Sequence, residues 1–296
     1  MAEESTTLAL DELWDFANPK ASAYRFQARL DTPDTQRDPA SEAITLTQLA
    51  RAQGLQGDFA LAHATLDKVD ATVRDASSLV QIRYLLERGR VFNSAGKATQ
   101  AIPLFREAWA VGTTFDLDYY AVDAAHMLAI ALPPAEQSPW AEKAITRAKG
   151  SRDPRTRRWL GPLNNNLGWT HHDAGDFGAA LACFEVALQA YETQGKVTEI
   201  RVAKWAVARA MRSLGNFAEA LRRQQILLAE LDTAGEEDGY VYEEIGECLL
   251  ALTRPHDAAP YFAKACATLS KDNWLVEHEA KRIERLRILA THVEQP

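Results

Sequence analysis

The sequence predicts an all-α fold: a right-handed superhelical solenoid of six antiparallel helix pairs, flanked by N-terminal helices and closed by a C-terminal capping helix. Three observations predict it. Gly and Pro are sparse and sit mostly between periodic segments, and few windows show the strict alternation of a strand. Two columns of small residues recur along the chain at a spacing of about 40 residues. Apolar residues make up 47% of the chain and charged residues 25%, so a packed structure is expected rather than a disordered one.

The repeat carries the argument. With starts at residues 43, 82, 122, 161, 201 and 239 the offsets are 39, 40, 39, 40 and 38, and the register holds without gaps inside each repeat. The eighth place reads Ala50, Gly89, Ala129, Gly168, Ala208 and Gly246. The twentieth reads Ala62, Ala101, Ala141, Ala180, Ala220 and Ala258. Where two antiparallel helices cross, a larger side chain would push their axes apart, so both columns mark close approach. A knob column follows at Val69, Ala108, Ala148, Ala187, Leu227 and Ala265. Between the last two columns sits a larger filler, Leu66, Phe105, Ile145, Phe184 or Phe262, with Gln224 as the polar departure. Gly57, Gly96, Gly175 and Gly215 stand where a helix C-cap needs positive φ. The third and sixth repeats lack that Gly and carry LPPAEQSPW and LTRPHD, so their turns are expected to differ in shape.

The stretch LNNNLGWTHHDAGDFGAALACFEVALQAYE, from Leu163, carries Leu167-Gly168, Gly175, Phe177, Ala180, Phe184 and Ala187 at the spacings of a tetratricopeptide unit. It resembles the tetratricopeptide family, and the long repeat is similar to those of kinesin light chains and bacterial peptide-sensing repeat proteins. The likeness is to architecture. Such sensors often carry an N-terminal DNA-binding module, which the 42 residues before the first repeat do not spell.

The expected organisation is therefore an N-terminal helical segment and linker over 1–42, repeats over 43–271, and a capping helix over 272–296. In the first part, TLALDELWDF and KASAYRFQARL read as short helices, the second capped by Asn18 with Pro19 in its first turn. DTPDTQRDP reads as a linker. At the other end, DNWLVEHEAKRIERLRILATHV reads as one amphipathic helix covering the exposed apolar end of the array.

The opening MAEESTT is acidic where a targeting signal would be basic, and no apolar run reaches about 18 residues, so a cytoplasmic protein is expected. The net charge of −8 argues against nucleic acid or an anionic membrane as partner. Arg147, Lys149, Arg152, Arg155, Arg157 and Arg158 crowd one connection and read as a solvated loop beside a helix C-terminus. Cys183, Cys248 and Cys266 lack metal-ligand spacing and read as small reduced core residues. The Ala-rich, Arg-over-Lys composition suggests a bacterial source.

The resemblance implies that the second, fifth, ninth and twelfth places of each first helix face a concave groove. Those places hold Arg83, Asp123 and Tyr240, then Thr47, Leu86, His126, Asn165, Trp205 and Glu243, then Arg51, Arg90, Ile130, Trp169, Arg209 and Glu247, then Asn93, His172 and Arg212. Fifth and ninth places lie i and i+4 on one helix face. A merely solvated face favours Lys, Glu, Gln and Ala. Tryptophan and arginine instead concentrate where binding energy does. Arginines dominate the first, second and fifth repeats, whereas the sixth presents Glu243, Glu244 and Glu247, which suits an extended ligand with acidic and basic ends. The Lys and Asn set that clamps a C-terminal carboxylate in chaperone-binding members of the family is absent.

No phosphate-cradling loop, nucleophile turn or cofactor fingerprint appears. Asp123 and His126, at i and i+3, and the run His171, His172, Asp173 and Asp176 are the nearest approaches to catalytic or metal chemistry. Chance helical spacing explains the first, and the repeat register keeps the second from converging. The expectation is a non-catalytic module without cofactor or metal, binding a peptide or protein segment in its groove. Its alternative is a small-ligand sensor or enzyme with a pocket around His126, Asn165, Trp169 and Arg209. Self-association through the exposed faces is a further structural reading.

Overall fold

The computed structural model describes residues 10–33, 35, 38–73 and 77–291, the side chains of 71–73 apart. Every regular element among them is a helix. The chain divides into two compact bodies, residues 1–159 and 160–296, so the division falls inside the stretch that the sequence reads as one array.

In the N-terminal body, α1 (Pro19–Leu30) is followed by antiparallel pairs: α2 (Pro39–Leu55) with α3 (Phe59–Val73), α4 (Ser78–Ser94) with α5 (Ala98–Thr114), and α6 (Asp118–Ala131) with α7 (Pro134–Gly150). A single turn, α8 (Pro154–Arg157), ends it. As expected, α1 starts on Asn18, whose side chain accepts from the Ala21 N–H, with Pro19 in the first turn. The earlier pattern TLALDELWDF does not run as one helix. Its first three residues lie outside the described ones, helix stops at Asp11, and the chain turns from Glu12 onward. Of the linker pattern, Thr35 is buried, while Asp34, Gln36 and Arg37 lie outside the described residues.

The C-terminal body pairs α9 (Leu160–Asp173) with α10 (Phe177–Gln194), α11 (Val197–Ser213) with α12 (Phe217–Ala234), and α13 (Gly239–Ala251) with α14 (Pro255–Leu269). The closing segment is not one helix but two, α15 (Asn273–His278) and α16 (Ala280–Thr291), broken at Glu279 (φ −120°, ψ 34°). The periodicity hides this break, because Leu275, Ile283 and Leu286 would share a face in an unbroken helix too. Tertiary contacts hold each side of it. Leu275 is buried in the core before the break, and after it Arg282 is committed to Glu243.

Packing follows the small-residue columns. Ala62, Ala101, Ala180, Ala220 and Ala258 have no exposed surface, and Phe105, Phe184 and Phe262 are fully buried. The eighth place has a sharper logic. A Cβ built on Gly89, Gly168 or Gly246 would lie 2.5, 2.5 and 2.8 Å from the ring of Phe105, Phe184 and Phe262 respectively, well inside van der Waals contact. Where the eighth place is Ala50 or Ala208, the filler is the slimmer Leu66 or Gln224. Glycine and phenylalanine thus form a size-matched couple at each such crossing. Overpacking a crossing costs about 1–3 kcal/mol, so Ala180→Leu and Ala220→Leu should each lower the melting temperature by several degrees. Melts within a degree of wild type would reject this register.

The turns correct one expectation. Gly57, Gly96, Gly175 and Gly215 all have positive φ, as the C-cap reading requires. In the sixth repeat Thr253 takes the same place at φ 58°, with Thr253 N–H donating to Leu250 O and Arg254 N–H to Leu249 O, both at 2.9 Å. Those bonds reproduce Gly57 to Gly54 and Asp58 to Gln53 in the first repeat. The Thr turn therefore has the glycine shape rather than its own. Two satisfied carbonyls at a helix end offset the roughly 1–2 kcal/mol that an L-residue loses in the left-handed region. Only the third repeat differs, with Leu132 extended before Pro133.

The cysteines also split. Cys248 is fully buried, and burial pushes its thiol up to about 12, whereas Cys183 and Cys266 are half-buried rather than core. No helix among the described residues is long and apolar enough to cross a membrane.

Candidate functional site

Each body contains its own concentration of the residues expected at the inner places. In the N-terminal body, Arg51 of α2, Arg83 of α4 and Asp123 of α6 line one cavity of about 200 Å³. Its floor is an ion network. Arg90 donates to Glu87 Oε1 at 2.7 Å and also pairs with Asp123. Burial works against the Arg90 charge, but the carboxylates of Asp123 and Glu87 outweigh it and raise the pKa. Arg51 has the opposite balance: burial, then repulsion from Arg90, lower its pKa, and Glu87 Oε1 stands 3.6 Å away. Among the described residues its guanidinium donates no hydrogen bond, and it lies 5.5 Å from the ring centres of both Trp14 and Phe16.

The chain ahead of α1 supplies a wall of this cavity. Trp14 stacks on Phe16 at 4.6 Å and donates its indole N–H to Gln48 Oε1 at 3.0 Å. Opposite, Arg155 lies 4.5 Å over the Tyr119 ring and 3.5 Å from Asp11, while Arg83 donates to the Tyr120 hydroxyl at 2.8 Å. Trp159 is also in the lining, and His126, which is not, lies 5.2 Å from it between ring centres. Burial lowers the His126 pKa, with Asp123 opposing, while Asp123 itself is spent on Arg90. Asn93, half-buried one turn beyond Arg90, is not among the lining residues.

One reading of the sequence is corrected here. The basic connection is not merely a solvated loop, because Arg155 turns onto Tyr119 and Asp11, and Arg147 reaches Asp118 at 2.7 Å. His126, Asn165, Trp169 and Arg209 do not line this cavity. Sequence reasoning missed Glu87, Tyr119, Arg155, Trp159 and the N-terminal aromatics. Glu87 sits at the sixth place, beside an inward one, and a basic run gives no sign of which of its members folds inward.

In the C-terminal body the strip reads across α9, α11 and α13. The Trp169 and Trp205 rings lie 5.8 Å apart, and Trp205 meets Tyr240 edge-on at 6.2 Å. Trp205 donates its indole N–H to the Tyr240 carbonyl at 3.1 Å. Both tryptophans are half-buried against the core of this body, and Tyr240 is 37% exposed. Arg209 and Arg212 converge on Glu244, which is 5% exposed: Arg212 donates to its two oxygens at 2.7 and 3.0 Å, and Arg209 Nε stands 3.1 Å away. Burial lowers the Arg209 pKa. For Arg212 the bonds to Glu244 outweigh burial and raise it. His172 approaches Ser213 Oγ at 3.0 Å, the hydroxyl to which Arg209 also donates at 2.9 Å. Asn165 keeps its side-chain oxygen buried and, among the described residues, without a hydrogen-bond partner.

The acidic end of the strip differs from the expectation of open carboxylates. Glu243 accepts from Arg282 of α16 at 2.5 to 3.1 Å, and Glu247 pairs with Arg285. A carboxylate as buried as Glu243, at 9% exposure, demands such a partner. The closing helix thus neutralises the charge that the sequence offers to a ligand.

No family model matches the chain, and no curated protein matches it either. Solved structures do. It is similar to the apo form of RapI, with a TM-score of 0.69 at 11% identity, covering 90% of this chain and 77% of that one. A structure of NprR in complex with its cognate peptide NprX has a TM-score of 0.53 at 13% identity, covering 99% and 84%. A tetratricopeptide repeat protein from Parabacteroides merdae has a TM-score of 0.50 at 14% identity, covering 97% and 98%. At these identities the likeness is one of fold, and that fold is the tetratricopeptide-type helical repeat.

Proposed function

We propose that this chain is a non-catalytic interaction module that takes up a peptide or protein segment along α9, α11 and α13 of its C-terminal body, with Asn165, Trp169, Trp205 and Arg209 as one contact surface. The observation that carries the reading is the aromatic run Trp169, Trp205 and Tyr240, held half-open beside Arg209 and Arg212. Large rigid rings next to directed donors are the composition of binding hot spots. Asn165, with a buried oxygen that lacks a donor, adds an acceptor suited to a backbone N–H. NprR, a protein of similar fold, has been solved in complex with its cognate peptide NprX, which supports the reading.

The test is peptide selection on the full chain from a random display library, followed by calorimetry with the selected peptides. Trp205→Ala should weaken them at least tenfold, the scale of about 1.4 kcal/mol or more for a hot-spot aromatic. Arg209→Lys is a better companion than Arg209→Ala, because Arg209 helps to neutralise the buried Glu244 and its charge must stay. Peptides that bind the Trp205 variant as tightly as wild type would sink the reading.

A further inference from the structure

The cavity of the N-terminal body has no part in that proposal, and its chemistry is specific. Its volume of about 200 Å³ is below the roughly 300–1,000 Å³ of sites for drug-sized ligands. The space suits one ligand of amino-acid size. Two polar groups in the lining keep unused hydrogen-bonding capacity among the described residues. The Arg51 side chain, 30% exposed and set beneath the stacked rings of Trp14 and Phe16, donates no hydrogen bond among the described residues. Glu87, 3% exposed, turns one carboxylate oxygen to Arg90 and Arg51 and leaves the other, Oε2, buried without a donor among the described residues. An unmet buried acceptor of this kind is costly unless a ligand meets it.

The two groups are neighbours, with 3.6 Å between Arg51 Nη1 and Glu87 Oε1. A guanidinium whose N–H groups donate no hydrogen bond, adjacent to a carboxylate oxygen without a donor among the described residues, is the complement of a ligand whose carboxylate and N–H donor sit on one carbon. Around them Trp14, Phe16, Tyr119 and Trp159 supply an aromatic enclosure for the third substituent. We propose that this cavity is a recognition site for α-amino-acid chemistry: a carboxylate on Arg51, an N–H donor on Glu87 Oε2, and a large apolar or aromatic side chain among the rings. Two sources share that chemistry, a free amino acid and the C-terminal residue of a peptide.

The experiment is calorimetry on the full chain with L-phenylalanine, L-leucine and L-tryptophan, against L-phenylalaninamide and N-acetyl-L-phenylalanine, with thermal shift as a second readout. At least one free amino acid or the acetylated one should bind, and the amide, which lacks the carboxylate, should bind at least tenfold more weakly. The free form binding better identifies a free amino acid as the source, and the acetylated form binding better identifies a peptide terminus. Arg51→Gln should weaken the preferred ligand by about tenfold to a hundredfold, the weight of a charge-assisted hydrogen bond. Arg51→Lys, which keeps the charge without the fork, should fall between. Silence from all three free acids and the acetylated one, equal binding of acid and amide, or unchanged binding by both Arg51 variants overturns the proposal. Trp205→Ala should leave this binding intact, so failure here and failure of the peptide reading are told apart.

Discussion

Phe184→Ala should lower the unfolding free energy by about 3–5 kcal/mol, the usual cost of deleting a large aromatic side chain from a core. Phe184 is fully buried, and its ring rests against the backbone of Gly168. The informative partner is Gly168→Ala. On helix propensity alone that change would stabilise by about 1 kcal/mol. Here the new Cβ would meet the ring at 2.5 Å, so a net loss is expected instead, overpacking costing about 1–3 kcal/mol. Combining Gly168→Ala with Phe184→Leu recreates the Ala50 and Leu66 couple of the first repeat, and should recover most of the loss. Chemical denaturation of the three single variants (Phe184→Ala, Gly168→Ala and Phe184→Leu) and the double variant closes the cycle. If Gly168→Ala stabilises, or if the two changes simply add, the size-matched crossing is wrong.

Truncation before Asn273 should damage the C-terminal body more than any single substitution. It removes α15 and α16, whose Leu275, Ile283 and Leu286 are buried in the core that also contains Phe262 and Leu269. Withdrawing three such side chains exposes an apolar face on α13 and α14 and forfeits about 1.5–3 kcal/mol for each. It also leaves Glu243 without Arg282 and Glu247 without Arg285. An uncovered solenoid end invites association, and a buried carboxylate without its cation destabilises. The expected result is a lower melting temperature together with concentration-dependent light scattering, whereas removal of residues 1–6 should leave solubility nearly unchanged. A truncated chain that stays monomeric at high concentration would contradict the assigned role of the closing helices.

Much of the architecture was legible in the residue order. The Ala and Gly columns are visible because close helix crossings tolerate only small side chains, and a helical period turns that steric rule into a regular spacing. The glycine turns are visible for the same kind of reason, since positive φ at a C-cap selects glycine. Thr253 escaped, because its hydrogen-bonded turn holds an L-residue where propensity disfavours one. Within the strip, the places of Trp169, Trp205 and Arg209 came from the register, and the pairing of their neighbours did not.

Residue order therefore specifies what is local and periodic: helix identity, crossing points, caps, and the set of residues on each first-helix face. Tertiary structure alone decided which of those residues stayed available. Arg282 and Arg285 meet Glu243 and Glu247 from about 38 residues away, and Arg155 reaches Asp11 across 144. Spacing within one helix carries no record of such distant pairings. Burial nevertheless compels them, because a charge withdrawn from water must find its counterion wherever the packed helices bring one.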